Sequence, residues 1–194
     1  MDEALTQIRH ARSAKDFPYL KLEDDEYVEF AFKRAKICLA VIFGGVTGGL
    51  ALILLAFLMV LLNLAALDEM GQRFLFIILT ALGVAVALIG VVAIMVYRGN
   101  RLFITNKHVI QMIMKSPVAT SVNMIDLQSI EDVSYHKNGI LQKLFKYGTL
   151  RLATVGDETT YTFPYSDILP SDMKAVSKMI TEAKKARRIE TRQN

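Results

Sequence analysis

Two long stretches without a charged residue occupy most of the first half of the chain and restrict the folds open to it. They cover residues 37–67 and 74–97, and neither contains Asp, Glu, Lys, Arg or His. About 20 apolar residues in an α-helix span the core of a bilayer. A helix on a water-soluble protein usually keeps a polar face, which these stretches lack. The sequence therefore predicts transmembrane helices at 37–67 and 74–97, joined by an external loop at 68–73.

Lys and Arg residues near the ends of the two stretches predict their orientation. Six flank the stretches on the side of the chain termini: Lys33, Arg34, Lys36, Arg98, Arg101 and Lys107. The loop at 68–73 contains one, Arg73. Positive residues concentrate on the cytoplasmic side of membrane proteins. We therefore expect a multi-pass protein of the cytoplasmic (inner) membrane with both termini in the cytoplasm.

Glycines in the first stretch are candidates for helix packing. Gly44, Gly45, Gly48 and Gly49 form two overlapping G-x-x-x-G patterns, and small residues at that spacing allow close approach of two helix backbones. The partner is either the second stretch of the same chain or the same stretch of another copy, and the sequence leaves both open. The lack of an ionisable residue in either stretch argues against a transporter.

Residues after the second stretch change to a strand-like pattern. Short β-branched and aromatic runs are separated by turn signals, and they predict strands at 102–105, 108–114, 121–125, 130–136, 149–155 and 159–163. A hairpin loop is expected at 156–158 and a short helical turn at 140–145. Met173, Val176, Ile180 and Ala183 repeat at helical spacing and predict a C-terminal amphipathic helix. The expected fold class is α+β: a transmembrane hairpin and an antiparallel β-barrel or sandwich capped by this helix.

Two segments resemble a family of bacterial PH-like membrane proteins (bPH2). Residues 100–110 read NRLFITNKHVI and resemble the family's opening hairpin, and residues 139–150 read GILQKLFKYGTL and resemble its central segment. Lys143 and Lys146 stand where the family commonly has Gly, Arg or small residues. The resemblance covers about residues 24–188 and implies a cytoplasmic PH-like domain at 98–188. A cytoplasmic segment precedes the membrane at 1–36, and a basic tail follows at 189–194.

Motifs that would indicate catalysis or a cofactor are missing from the sequence. It has no nucleotide-binding glycine loop, zinc-protease motif or nucleophile elbow, and Cys38 is the only cysteine. The acidic residues Glu23, Asp24, Asp25, Glu26 and Glu29 could bind a divalent cation weakly, but they do not have the spacing of a calcium-binding loop. We expect them on a solvated face. Gly148 is expected to permit a positive φ or a close backbone approach. No cofactor, metal or enzymatic activity is expected.

Basic residues dominate the segment after the second stretch. From residue 98 onward there are 15 Lys or Arg and 9 Asp or Glu, whereas the first 36 residues have 7 and 8. Three lysines, Lys137, Lys143 and Lys146, lie in the sequence beside the apolar Leu141 and Phe145. Such a mixture suits an anionic membrane surface, and it is equally compatible with ordinary solubilising charge. No aromatic platform for nucleic acid accompanies it.

These features give three hypotheses. The leading one is a non-enzymatic, membrane-anchored PH-like module that binds lipid headgroups or a protein partner through the patch of Lys137, Lys143, Lys146, Leu141 and Phe145. The second is a subunit of an oligomeric envelope complex. The third, an enzyme of unknown chemistry, has no catalytic constellation to support it, and PH-like folds by themselves do not specify a ligand.

Overall fold

The computed structural model describes residues 2–62, 68–138, 140–154, 160–168 and 170–193. Those residues form five α-helices, seven β-strands and a short 3₁₀ helix at Leu127–Ser129. The helices are α1 (Asp2–Asp16), α2 (Lys36–Leu61), α3 (Glu69–Gly99), α4 (Ile140–Leu144) and α5 (Pro170–Gln193). The strands are β1 (Val28–Lys33), β2 (Arg101–Thr105), β3 (His108–Ser116), β4 (Ala119–Asp126), β5 (Ile130–His136), β6 (Gly148–Thr154) and β7 (Thr160–Ser166).

The two charge-free stretches form the long helices α2 and α3. Among the described residues, these two helices are long and apolar enough to cross a membrane. Helix α3 starts at Glu69 rather than at residue 74, because the Asp68 side chain caps it by accepting a hydrogen bond from the Gly71 backbone N–H at 3.1 Å. Most of the predicted loop at 68–73 is therefore helical. Residues 63–67, at the end of the first predicted span, lie outside the described residues.

Contact between α2 and α3 uses only part of the glycine pattern. A methyl group added at Gly49 would touch Val86 at 3.5 Å, and one added at Gly90 would lie 2.7 Å from Val46 Cγ2. At Gly44, Gly45 and Gly48, an added methyl group would meet nothing within 4 Å. Packing within the chain thus accounts for Gly49, while the space beside the other three glycines of the pattern is open.

A four-stranded antiparallel sheet, in the order β1-β2-β3-β4, joins segments from both sides of the helical hairpin. Strand β1 precedes α2, strand β2 follows α3, and Lys33 pairs with Arg101. Strand β1 was not predicted from the sequence, although Val28, Phe30 and Phe32 alternate there with other residues in the period of two that marks a strand. The pairing places the start of α2 and the end of α3 next to each other.

A three-stranded antiparallel sheet, in the order β5-β6-β7, packs against the first sheet. Val176 and Ile180 of α5 are buried in the shared core, with Met173 and Ala183 partly buried beside them, so the predicted helix face is confirmed. The remaining core residues come mainly from the strands: Phe32, Leu102, Ile104, Val109, Ile125, Ile130, Leu150, Leu152 and Phe163. The α+β class is confirmed, whereas the described strands form two separate sheets and no closed barrel. The predicted loop at 156–158 lies outside the described residues.

The N-terminal segment is an integral layer of the domain and not merely a polar extension. Phe103, on the outer face of β2, is almost fully buried because Phe17 and Tyr19 cover it with ring centroids 5.1 and 6.1 Å away. The Ser13 hydroxyl of α1 accepts a hydrogen bond from the Val28 backbone N–H at 3.0 Å. Residues before α2 thus cover Phe103 on the outer face of the four-stranded sheet and supply its edge strand β1.

Candidate functional site

The end of the domain beside α2 and α3 is called here the helix-proximal end. Strand β1 ends at Lys33, three residues before α2 begins, and β2 begins at Arg101, two residues after α3 ends. The β2–β3 turn lies at the opposite, helix-distal end, roughly 15 Å away for a five-residue strand. The bridge between Arg34 and Ser166 places the end of β7 at the helix-proximal end as well.

The sequence-predicted patch lies at this helix-proximal end. Helix α4 connects the end of β5 to the start of β6, and Phe145, which follows it, shares a cavity of about 310 Å³ with Lys36, Ile37 and Ala40 at the start of α2. Beside it Ile140 and Leu144 are 85% and 68% exposed. The side chain of Leu141 lies outside the described part of the structure. A group of exposed apolar side chains therefore stands next to the first turn of a long apolar helix.

The three patch lysines surround α4. Lys137 places its ammonium 5.5 Å from the centroid of the Tyr135 ring, Lys143 is exposed on α4, and Lys146 is exposed in the connection to β6. The structure thus brings together the predicted lysines and Phe145 on one connection between strands. Lys146 has a φ of 55°, a conformation that costs a non-glycine residue energy.

At Gly148 the backbone of β6 approaches the end of β5 closely, as expected from the sequence. A methyl group added there would lie 2.6 Å from the His136 carbonyl oxygen and 2.7 Å from the Tyr135 ring. The backbone with positive φ belongs to Lys146, two residues earlier. Gly148 thereby keeps β6 tight against the end of β5, which holds the α4 connection at the helix-proximal end.

A larger cleft of about 850 Å³ also opens at the helix-proximal end, between β1, the adjoining ends of α2 and α3, and the start of α5. Its charged lining residues are Lys33, Arg34, Lys36, Arg98, Arg101, Glu29, Asp167 and Asp172. All five of these cations also predicted the orientation of the chain, but the sequence did not group them as a site. Their proximity depends on the β1–β2 pairing, and the strand-like alternation at 28–33 is the signal that could have revealed it.

Two hydrogen bonds to backbone carbonyl oxygens fix the chain that lines this cleft between β1 and α2. The Tyr97 hydroxyl donates to the Arg34 carbonyl oxygen at 2.9 Å, and the Ala35 backbone N–H donates to the Tyr165 carbonyl oxygen at 2.6 Å. Tyr165 itself has a φ of 57°, which is unfavourable for an aromatic residue. The linker between β1 and α2 is thus tied both to α3 and to β7.

The acidic segment lies at the helix-distal end, where one of its carboxylates is buried. The Glu26 side chain is 1% exposed and accepts hydrogen bonds from the Thr105 hydroxyl at 2.6 Å and from His108 Nδ1 at 2.9 Å. Burial raises the pKa of Glu26, but these hydrogen bonds outweigh burial and leave the pKa below its ordinary value of 4.5. The expectation of a solvated acidic face is therefore wrong for Glu26. The pairing of β1 with β2 places its side chain against the β2–β3 turn.

Two neighbouring carboxylates form an ion-pair cluster on the surface of the same turn. Lys107 Nζ lies 2.6 Å from Asp25 and 2.7 Å from Glu23, which raise the pKa of the Lys107 ammonium. Among the described residues, no group of three or more His, Cys, Asp or Glu side chains is placed to hold a metal ion. The acidic segment therefore attaches the start of β1 to the β2–β3 turn.

The elements so far described define a class: two antiparallel sheets with a C-terminal helix, carried on a pair of long apolar helices. The sequence profile of the bacterial PH-domain family matches residues 37–187, which include both apolar helices and most of both sheets. The chain belongs to this family. The expectation drawn from the two sequence segments is thereby confirmed.

Other comparisons add little. No curated protein matches the chain significantly. Among solved structures, a DUF1696 family protein with a pleckstrin-homology domain from Shewanella loihica PV-4 is similar in fold, with 9% sequence identity and a TM-score of 0.40, covering 90% of this chain and 96% of that chain.

Proposed function

We propose that this protein is a non-enzymatic, membrane-anchored PH-like module whose helix-proximal end binds an anionic lipid surface. Helices α2 and α3 anchor it by crossing the cytoplasmic membrane twice, and both termini lie in the cytoplasm. The α4 connection, with Lys137, Lys143, Lys146 and Phe145, rests on the headgroup layer.

The β1–β2 pairing supports the two-crossing arrangement. Because Lys33 and Arg101 are opposite each other in the paired strands β1 and β2, the residues that enter α2 and those that leave α3 belong to one sheet. A folded sheet cannot have its strands on opposite sides of a bilayer, so the intervening helices cross an even number of times. The excess of Lys and Arg at this end favours the cytoplasmic side.

The position of Phe145 is the observation that carries the proposal. Its side chain lines a cavity with Lys36 and Ala40 at the start of α2, so it stands at the level where α2 enters the membrane. Exposed Ile140 and Leu144 are beside it. Apolar side chains at this depth lie at the boundary between headgroups and acyl chains, and adjacent lysines add attraction to anionic lipid.

Charge separation along the domain supports the same placement. Cations line the helix-proximal cleft and surround α4, whereas Glu23, Asp25 and Glu26 lie at the helix-distal end. An anionic leaflet attracts the first end and repels the second, and each Lys or Arg near the headgroups contributes about 1 kcal/mol.

Tryptophan fluorescence offers a direct test because the chain contains no tryptophan. Leu144→Trp would place a single fluorophore on α4, and brominated lipids quench tryptophan only at short range. Met124→Trp is the matched control: Met124 is also about half exposed, but it lies on β4 two residues from the helix-distal end of the strand. The full-length chain is reconstituted into vesicles of brominated phosphatidylcholine with and without phosphatidylglycerol.

The proposal predicts strong quenching of Leu144→Trp and little quenching of Met124→Trp. Quenching of Leu144→Trp should increase with phosphatidylglycerol, and replacement of Lys137, Lys143 and Lys146 by Gln should remove that increase. The three substitutions together correspond to a loss of up to about 3 kcal/mol of attraction. Equal, weak quenching of both tryptophans would contradict lipid contact and would point to a protein partner at Leu144 and Phe145.

A further inference from the structure

We propose that the helix-proximal cleft is a binding site for the phosphate of an anionic phospholipid headgroup, with Arg34 as its central ligand. This inference rests on the proposed function but concerns a different group of residues from the α4 patch. The patch would contact the lipid surface in general, whereas the cleft would hold one lipid molecule by its headgroup.

The cleft has the size and charge for such a ligand. Its volume of about 850 Å³ is within the range of small-molecule sites. Five cationic residues line it, against three carboxylates, and one of those carboxylates, Glu29, already pairs with Arg9 at 3.0 Å outside the cation group. Within the described residues, no ion pair involves Lys33, Arg34, Lys36, Arg98 or Arg101. The cleft therefore holds uncompensated positive charge.

Arg34 supplies the observation that points to a ligand. Its Nε atom is buried and, among the described residues, has no hydrogen-bond partner. A buried N–H without an acceptor is rare in native structures because it has lost its water and gained nothing in return. Protein atoms now cover Nε, so a phosphate oxygen would accept this hydrogen bond once the Arg34 side chain turns toward the cleft. The planar guanidinium then favours two parallel bonds to phosphate.

The position of the cleft identifies the source of the phosphate. Lys36 begins α2, Arg98 is in the last turn of α3, and the Tyr97 hydroxyl holds the Arg34 backbone at 2.9 Å. Arg34 therefore lies where both long apolar helices leave the hydrocarbon layer, which is the level of the lipid phosphates. A lipid can reach this site by lateral diffusion along the helices, with its acyl chains remaining in the bilayer.

Two carboxylates in the same cleft favour some lipid headgroups over others. Asp167 and Asp172 line the same cleft as Arg34, and a carboxylate accepts hydrogen bonds from hydroxyl groups. A glycerol headgroup offers hydroxyl donors beyond its phosphate, whereas a choline headgroup offers none. The expected ligand is thus an anionic lipid with a hydroxylated headgroup, such as phosphatidylglycerol.

Native mass spectrometry of the full-length protein in mild detergent tests this site. Phosphatidylglycerol is titrated in parallel with phosphatidylcholine, and the population of chains that retain one lipid is measured. Arg34→Gln should weaken phosphatidylglycerol retention about tenfold or more, the effect typical of losing a charge-assisted hydrogen bond. Arg151→Gln, at an exposed arginine of β6 away from the cleft, is the matched control and should leave retention unchanged.

A second variant protects the test against misfolding. Lys33→Gln with Lys36→Gln changes two exposed cleft residues and should also weaken retention without lowering the melting temperature. Retention by Arg34→Gln equal to that of the unmodified chain would overturn the proposal. So would equal retention of phosphatidylcholine, or displacement of the lipid by millimolar inorganic phosphate, which would identify a soluble phosphate as the ligand. If Leu144→Trp is still quenched while Arg34→Gln leaves phosphatidylglycerol retention unchanged, the cleft site is contradicted. The proposed function is then still supported.

Discussion

Glu26 and His108 are 82 positions apart in the chain, yet Nδ1 of the histidine donates to the carboxylate at 2.9 Å in a nearly dry site. The contact crosses the whole helical hairpin in sequence, since Glu26 precedes α2 and His108 begins β3. Thr105 donates to the same carboxylate oxygen at 2.6 Å. The helix-distal end of the domain is therefore closed by a buried carboxylate that belongs to the N-terminal segment.

The first prediction concerns the pH dependence of stability at this contact. Because the folded-state pKa of Glu26 lies below its ordinary value of 4.5, its ionised form stabilises the fold at pH values above about 4.5, and this contribution is lost as pH falls through the folded pKa. Glu26→Gln should lower the unfolding free energy by about 1–3 kcal/mol at neutral pH. The difference from the unmodified protein should shrink on acidification below 4.5, as measured by thermal unfolding in mild detergent.

Glu29→Gln is the control for this measurement. Glu29 pairs with Arg9 at 3.0 Å on the surface, and exposed ion pairs contribute roughly 0–1 kcal/mol. Its replacement should change stability little at any pH. A Glu26→Gln protein as stable as the unmodified one at neutral pH would show that the buried carboxylate does not stabilise the domain.

The second prediction concerns packing between α2 and α3. Gly90→Ala would place a methyl group 2.7 Å from Cγ2 of Val46, a stiff β-branched side chain that cannot turn away. Overpacking of this kind typically costs about 1–3 kcal/mol. Gly45→Ala is the matched control, since a methyl group there meets nothing within 4 Å. Denaturation of the helix pair in mixed detergent micelles should show a loss for Gly90→Ala only.

The third prediction separates packing within the chain from packing between copies. If Gly45 and Gly48 contact a second copy, Gly45→Ile with Gly48→Ile should dissociate the oligomer, because bulky residues prevent close helix approach. Monomer stability should be unchanged, since the space beside both glycines is open. Light scattering in mild detergent measures the oligomeric state. A monomeric unmodified protein would exclude this dimer, and a loss of monomer stability would contradict the open environment of the two glycines.

Local sequence patterns were sufficient to predict most elements of the domain. The apolar run in 108–114, the alternation in 130–136 and the helical spacing of Val176 and Ile180 each depend on neighbours a few residues away, and each prediction is confirmed. The start of α3 was misplaced because hydropathy measures the apolar stretch, whereas the Asp68 cap determines where the helix begins. A charge-free stretch indicates which segment of a helix is apolar enough for lipid, but it does not indicate where the helix begins or ends.

Contacts that bridge the hairpin could not be read from local patterns. Lys33 pairs with Arg101, 68 positions later in the chain, and the buried Glu26 contacts His108, 82 positions later. A local periodicity in the sequence cannot predict contacts over such separations. The α4 patch was found because its lysines are close in sequence. The cleft around Arg34 was missed because its cations come from β1, α2, α3, β2 and the connection between β1 and α2, which only the fold brings together.

The fourth prediction tests orientation. The Lys and Arg residues at the helix-proximal end outnumber the single Arg73 on the other side of the hairpin, so reporter fusions at the N and C termini should both report the cytoplasm. A fusion inserted between Glu69 and Arg73 should report the external side. Termini on opposite sides would contradict the β1–β2 pairing as well as the charge distribution.

The last prediction concerns the smallest part of the chain that folds in water. A fragment of residues 98–194 lacks β1, so the edge of β2 and the outer face of Phe103 would be bare, and we expect it to aggregate. A chain in which a short Gly/Ser linker replaces residues 36–97 keeps α1, β1 and the acidic segment. The linker can be short because the Tyr97 hydroxyl lies 2.9 Å from the Arg34 carbonyl oxygen.

The linked chain should be soluble and should unfold cooperatively, as judged by gel filtration and circular dichroism, whereas the 98–194 fragment should be neither soluble nor cooperative. Phe103→Ala in the linked chain should lower its unfolding free energy by about 3–5 kcal/mol, because Phe17 and Tyr19 would then enclose a cavity. Val118→Ala, at a fully exposed position, is the control and should have no effect. A 98–194 fragment that folds cooperatively by itself would show that the N-terminal layer is dispensable.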